Sequence, residues 1–174
     1  QAGQTGQGFS SIAIGYQAGQ NYQTPVNNNN NTPSIAIGYQ AGQNFQGGTD
    51  GYCIAIGNQA GQEFQSDYSI AIGCLAGQYN QAVSSSSSVA IGSAAGCTGQ
   101  GGLAVAIGSE AGSLNQGEYA VAIGNQAGQT GQHDCTIILS GTGSGVNSTH
   151  TDSFYVAPIS NTGTALPILM YDPA

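Results

Sequence analysis

The apolar residues of this chain come as short alternations rather than helical stripes. Ile12-Ala13-Ile14 is followed by Ile35-Ala36-Ile37, Ile54-Ala55-Ile56 and Ile70-Ala71-Ile72, then by Val89-Ala90-Ile91, Val105-Ala106-Ile107 and Val121-Ala122-Ile123. Each triplet sets two large aliphatics on one side of an extended strand and an alanine on the other. A glycine closes every triplet: Gly15, Gly38, Gly57, Gly73, Gly92, Gly108 and Gly124. These lie 23, 19, 16, 19, 16 and 16 residues apart, a base period of 16 with insertions of 7, 3 and 3.

Counting from that glycine as position 0, the rest of the unit is as regular. Ala-Gly stands at +3 and +4 in every copy, and an eighth Ala-Gly, Ala2-Gly3, precedes the first full copy. A glutamine follows at +8: Gln7, Gln23, Gln46, Gln65, Gln81, Gln100, Gln116 and Gln132. The repeat is therefore I/V-A-I-G-x-x-A-G-x-x-x-Q, and every insertion falls between its glutamine and the next triplet. A fixed short period of this kind decides the architecture.

Sixteen residues are too few for a helical pair and suit one coil of a β-solenoid. The expected fold is all-β: a parallel β-solenoid, a left-handed β-roll of 16-residue coils over residues 1–135. Coils about 4.8 Å apart make a rod on the order of 35 Å long. Identical residues then form ladders, with Ile14, Ile37, Ile56, Ile72, Ile91, Ile107 and Ile123 on one another and the +8 glutamines linking amides from coil to coil. The glutamine is expected to lock the turn, with NYQTPVNNNNNTP (21–33), GGTDGY (47–52) and AVSSSSS (82–88) bulging out as loops. Residues 136–174 read as a cap. TIILSG (136–141) is a degenerate further coil, one period after Val121-Ala122-Ile123, and SFYVAPI (153–159) with ALPILMYD (165–172) reads as a β-hairpin.

Each coil is thin, and ordering its residues costs more than one pair of aliphatics returns. The reading at this level is that the aliphatics fill the coil. The smooth alanine face would then receive another copy of the chain, making a homotrimer with a shared core.

Charge narrows the partners. The chain has no Lys or Arg, eight Asp and Glu, and a net charge of −8. A phosphate backbone finds no counter-charge here, so nucleic acid is excluded as a partner, and an anionic membrane surface repels the chain. No apolar run approaches the ~20 residues of a spanning helix, so membrane insertion is not expected. Without Lys or Arg, trypsin-like proteases have no cleavage site, which suits an exposed extracellular life. The chain starts at Gln1 in mid-repeat and reads as a segment of something longer.

At the A-I-G-x-x-A core, Ser10-Ser11-Ile12-Ala13-Ile14-Gly15 and Ser88-Val89-Ala90-Ile91-Gly92 resemble the repeats of YadA-type trimeric autotransporter adhesin heads. The resemblance covers residues 1–132 and implies a trimeric β-roll with an exposed attachment role. The A-G-Q-x-x-Q half departs from it, and the variant I-A-I-G-x-Q-A-G-Q is similar to repeats in fibre-like proteins of large algal viruses. About twenty C-terminal residues, F-Y-V-A-P-I … L-M-Y-D, resemble the connector before the self-cleaving intramolecular chaperone of trimeric viral tail-spike and fibre proteins.

These resemblances imply a structural segment of an extracellular fibre or spike, on a virion or cell surface, that mediates or supports attachment to a host surface through a glycan or receptor. A bacterial adhesin head and a glycan-degrading spike are the competing readings. The latter needs two carboxylates about 5–10 Å apart. Glu63 and Glu110, or Asp67 and Glu118, sit three coils apart, some 14 Å at ~4.8 Å per coil. No catalytic set, no metal site and no cofactor is therefore expected. Cys53, Cys74, Cys97 and Cys135 occupy four different positions of the repeat, so a disulfide ladder is not expected, and C-x-x-C zinc spacing is absent. His133 and His150 read as solvated or hydrogen-bonded, and Ser84 to Ser88 as a solvated loop. Asn30 and Asn147 head N-x-T sequons and are candidate glycosylation sites. Tyr16 and Tyr39 at +1, and Tyr22, Phe45 and Phe64 at +7, stack on successive coils. Packing at the core or a corner is the preferred reading for them over holding a sugar.

Overall fold

The computed structural model describes residues 1–23, 33–47, 50–82 and 87–158. Among these, every regular element is a β-strand and every strand pairing is parallel. The strands are β1 (Ile12–Ile14), β2 (Ile35–Ile37), β3 (Asn44–Gln46), β4 (Ile54–Ile56), β5 (Glu63–Gln65), β6 (Ile70–Ile72), β7 (Tyr79–Gln81), β8 (Val89–Ile91), β9 (Val105–Ile107), β10 (Val121–Ile123), β11 (Ile137–Ser140) and β12 (Phe154–Ala157).

Two walls result. A nine-stranded sheet runs β1-β2-β4-β6-β8-β9-β10-β11-β12, and β3-β5-β7 form a smaller one. The chain is a β-solenoid, and the 16-residue unit holds its register through the insertions. Ile12 pairs with Ile35, Ile35 with Ile54, Ile54 with Ile70 and Ile70 with Val89. The second wall continues beyond its strands through the bridges Thr5 to Asn21 to Asn44 and Tyr79 to Thr98 to Leu114 to Thr130. The degenerate coil is a true rung, with Val121, Ala122 and Ile123 paired to Ile137, Ile138 and Leu139. After it, β12 adds parallel to β11, Ile137 against Phe154. The first arm of the expected hairpin is thus a further solenoid rung. The second arm, 165–172, lies outside the described residues.

The interior reverses the sequence reading. Alanine, not isoleucine, points inward: Ala36, Ala55, Ala71, Ala90, Ala106 and Ala122 are fully buried, as are Ala18, Ala41, Ala60, Ala76, Ala95, Ala111 and Ala127 at +3. The isoleucines face out, with Ile12 43 % and Ile14 58 % exposed. The reason is the width of the coil. A methyl built on Gly61 would lie 3.3 Å from the Ala55 Cβ and 2.6 Å from Gln65 Oε1. Two tight corners bring the walls so close that an alanine already fills the gap, and a branched side chain has no room. At −4 the chain supplies other small buried residues: Ser34, Cys53, Ser69, Ser88, Ala104, Ala120 and Thr136. Among the described residues, Ile138 is the one large aliphatic whose side chain is fully buried.

Glutamine spans what is left. Gln46 Nε2 donates to the Ile35 carbonyl at 2.7 Å, Gln81 to Ile70 at 2.8 Å and Gln116 to Val105 at 2.9 Å, each crossing from one wall to the other. From Gln81 onward the amides also join up the axis. Gln81 donates to Gln100 Oε1 at 3.2 Å, Gln100 to Gln116 at 3.2 Å and Gln116 to Gln132 at 3.1 Å.

Candidate interaction surface

With alanine inside, the large aliphatics form a face of their own. Positions −3 and −1 of the nine-stranded sheet are apolar from β1 to β12, ending in Phe154 and Val156, which are 49 % and 39 % exposed. The stripe is two side chains wide and, at ~4.8 Å per strand, about 40 Å long. None of the sequence-predicted ladder residues Ile14, Ile37, Ile56, Ile72, Ile91, Ile107 and Ile123 is buried, and all lie in one row of it. A groove of about 280 Å³ opens at this face, lined by Ile12, Ile35 and Ile54 with Ser10, Pro33, Tyr52 and Cys53.

The +8 glutamines are brought together in the interior, Gln23, Gln46, Gln65, Gln81, Gln100, Gln116 and Gln132 all being buried. Gln7 is exposed and donates to the Ser11 carbonyl at 3.2 Å. Sequence reasoning missed a second amide system, half-buried at Gln20 and Gln43 and buried at Gln62 and Gln78. At +5, Gln20 donates to Gln4, Gln43 to Gln20, Gln62 to Gln43 and Gln78 to Gln62, at 2.9 to 3.1 Å. At +2, Gln40 donates to Gln17 and Gln59 to Gln40, each at 3.0 Å, and Gln62 joins the two rows through Gln40 at 3.3 Å. The signal was present, since glutamine recurs at +2 and +5 in several copies.

Rings stack as the period requires. Tyr16 lies 5.5 Å from Tyr39, Tyr22 5.4 Å from Phe45 and Phe45 5.2 Å from Phe64. Tyr52 and Tyr68, at −5, add a pair at 5.5 Å that the sequence reading left out. These rings sit at corners and not in the core, with Tyr39 47 % and Phe64 54 % exposed.

Glu110, Asp67, Asp134 and both histidines are engaged in local structure. Glu110 accepts from Gln126 Nε2 at 2.9 Å and from Gln129 Nε2. Asp67 Oδ1 accepts from the backbone of Asp50 at 2.9 Å and of Gly51 at 2.7 Å, and Asp134 from the backbone of Glu118 at 2.8 Å. His133 Nδ1 lies 2.9 Å from Ser148 Oγ, which also accepts from the His133 backbone, and His150 Nδ1 lies 2.9 Å from Thr149 Oγ1. Among the described residues no cluster of His, Cys, Asp and Glu is placed to hold a metal ion. The four cysteines are free, and burial pushes the Cys53 thiol up to about 12, the nearby Asp67 carboxylate adding to the shift. Asn147 is exposed, its Oδ1 accepting from the Thr130 backbone at 3.1 Å, while Asn30 lies outside the described residues. Compared with known protein families, with curated proteins and with solved structures, the chain matches none.

Proposed function

We propose that this chain is a non-enzymatic structural segment of an extracellular homotrimeric fibre or spike, carried on a virion surface, which mediates or supports attachment to a host. The observation that carries the proposal is the aliphatic face. A monomer rarely leaves more than a few hundred Å² of contiguous apolar surface open to water. A stripe of about 40 Å by two side chains reaches that limit, with no charged residue at any of its −3 or −1 positions.

Three copies around a common axis bring the faces together, and the isoleucines then fill a core shared between chains. This replaces the alanine face as the contact and keeps the reason for association: the coil of a single chain encloses little beyond alanine and glutamine. The attachment role rests on the resemblance of the repeats, on the rod shape and on the absence of Lys and Arg. The test is the native mass by light scattering, beside an Ile72→Asp/Ile91→Asp variant. Three times the 17.3 kDa chain mass is expected, falling to one chain in the variant. A wild-type monomer sinks the reading, and a dimer keeps the face but discards the threefold.

A further inference from the structure

Two positions flank the aliphatic face. Position −5 precedes the −3 aliphatic and +1 follows the −1 aliphatic, and both are exposed in every coil from the first, Ser10 and Tyr16, to the eighth, Cys135 and Gly141. Their sizes complement each other. Tyr16 and Tyr39 at +1 share their coils with Ser10 and Pro33 at −5. Tyr52, Tyr68, Leu103 and Tyr119 at −5 share theirs with Asn58, Cys74, Ser109 and Asn125 at +1. The fifth coil has Ser87 and Ser93, small on both sides, as the eighth is. No coil is large on both.

A single chain has no use for this match. The two positions of one coil lie six residues apart with the extended triplet between them, a span of up to ~20 Å, so a ring on one flank does not fill a gap on the other. Along either flank large follows large, Tyr16 on Tyr39 and Tyr52 on Tyr68, both at 5.5 Å. The six large side chains stay open to water, 45 % exposed at Leu103 and 59 % at Tyr16.

The groove at this face is a matching hole. Ser10, Pro33 and Tyr52 line it at −5, so two of its three levels are the coils that carry Tyr16 and Tyr39 at +1. Charge sets the direction. Asp67, Glu118 and Asp134 stand at −6 and Asp152 at −5, beside one flank, while +1 holds no acid in any coil. Copies running in opposite directions would lay acid flank on acid flank, with no Lys or Arg in the chain to offset the repulsion.

We infer that the −5 flank of one copy packs on the +1 flank of the next, coil level with coil and both rods running the same way, each large side chain seated where its neighbour is small. Tyr16 and Tyr39 of one copy enter the groove of the next. Stable interfaces match shape as closely as protein interiors do, and here the match also fixes the register. A shift of one coil toward the C-terminus would set Tyr39 against Tyr52, ring on ring. The inference rests on the proposed self-association through the aliphatic face and adds which flanks meet, and at which level.

The test is disulfide trapping in the full chain. Cys74 already supplies a thiol at +1 of the fourth coil, and Tyr68→Cys adds one at −5 of the same level. Cysteine fits that backbone, since Cys135 holds −5 at φ 54° where Tyr68 has 58°. Leu103→Cys/Ser109→Cys sets a second pair in the sixth coil and decides the matter if the first variant does not fold. Leu103→Cys alone, with no thiol opposite, is the control. After oxidation with diamide, non-reducing denaturing electrophoresis is expected to show at least tenfold more linked chains from either pair than from the control, and reductant returns them to single chains. Native particles of several copies whose paired variants link no more than the control overturn the inference and leave the shared face standing. A bond closed within one chain overturns it too, because the two flanks would then meet in their own coil. A wild-type mass of one chain by light scattering sinks the proposed assembly and this inference with it.

Discussion

Gln100 ties the two walls of its coil together, its Nε2 donating to the Val89 carbonyl at 2.8 Å across the interior, eleven residues back in the chain. The same amide reaches Gln116 Oε1 of the next coil and accepts from Gln81 of the one before, both at 3.2 Å. Gln100→Ala removes this brace, takes away the acceptor of one neighbour and the donor of the other, and opens a void in a core with little else in it. The expected cost is about 2–4 kcal/mol, from ~1 kcal/mol per buried hydrogen bond plus the cavity. Gln100→Leu refills the void but not the bonds and should recover only part of the loss. Urea unfolding of the three proteins checks this, and a leucine variant as stable as wild type would mean that volume alone matters.

Two glycines separate close approach from backbone conformation. Gly92 has φ 131°, and a methyl built on it would lie 2.5 Å from the Gly108 carbonyl oxygen of the next coil. Neither partner can move without breaking the stack, so Gly92→Ala should leave no cooperative unfolding transition. Gly131 has φ 61° and nothing within 4 Å of the same methyl. Gly131→Ala meets only the left-handed penalty and should cost about 1–2 kcal/mol. Comparable losses at the two sites would refute the claim that coil spacing makes position 0 glycine.

Architecture and register were legible because a ladder fold writes its period directly into the sequence, down to Ile137 pairing with Val121. Which side of the triplet faces inward was not, because alternation defines two faces without naming the inner one. Size suggested isoleucine, but the distance between walls decides, and the glycine corners set that distance. A clue stood at −4, which shares its parity with the inward alanine and holds only Ser, Cys, Ala or Thr from Ser11 to Thr136. The rung at Phe154 was missed because the intervening segment fits no repeat, leaving only two apolar runs that a hairpin explains as well.

Cys53 supplies a pH test of the thin core. Its side chain is 1 % exposed, and Sγ lies 3.0 Å from the Ser66 carbonyl oxygen. Burial, reinforced by the Asp67 carboxylate, lifts its ionisation from an ordinary 9.0 to about 12. A raised folded value means that the folded chain keeps the proton while the unfolded chain releases it. The thiol's contribution is therefore complete below about pH 9 and is lost as pH climbs toward 12, with a slope of up to about 1.4 kcal/mol per pH unit. The informative quantity is the difference in slope between wild type and Cys53→Ala, which cancels the groups that the two proteins share, followed by urea midpoints from pH 8 to 11. Wild type should lose stability faster. Iodoacetamide at pH 8 gives an independent reading by mass: exposed Cys74 and Cys135 are expected to alkylate in the native protein, and Cys53 only after unfolding. Equal slopes together with native alkylation of Cys53 would mean that the coil opens to solvent, and the closed alanine–glutamine interior would have to be abandoned.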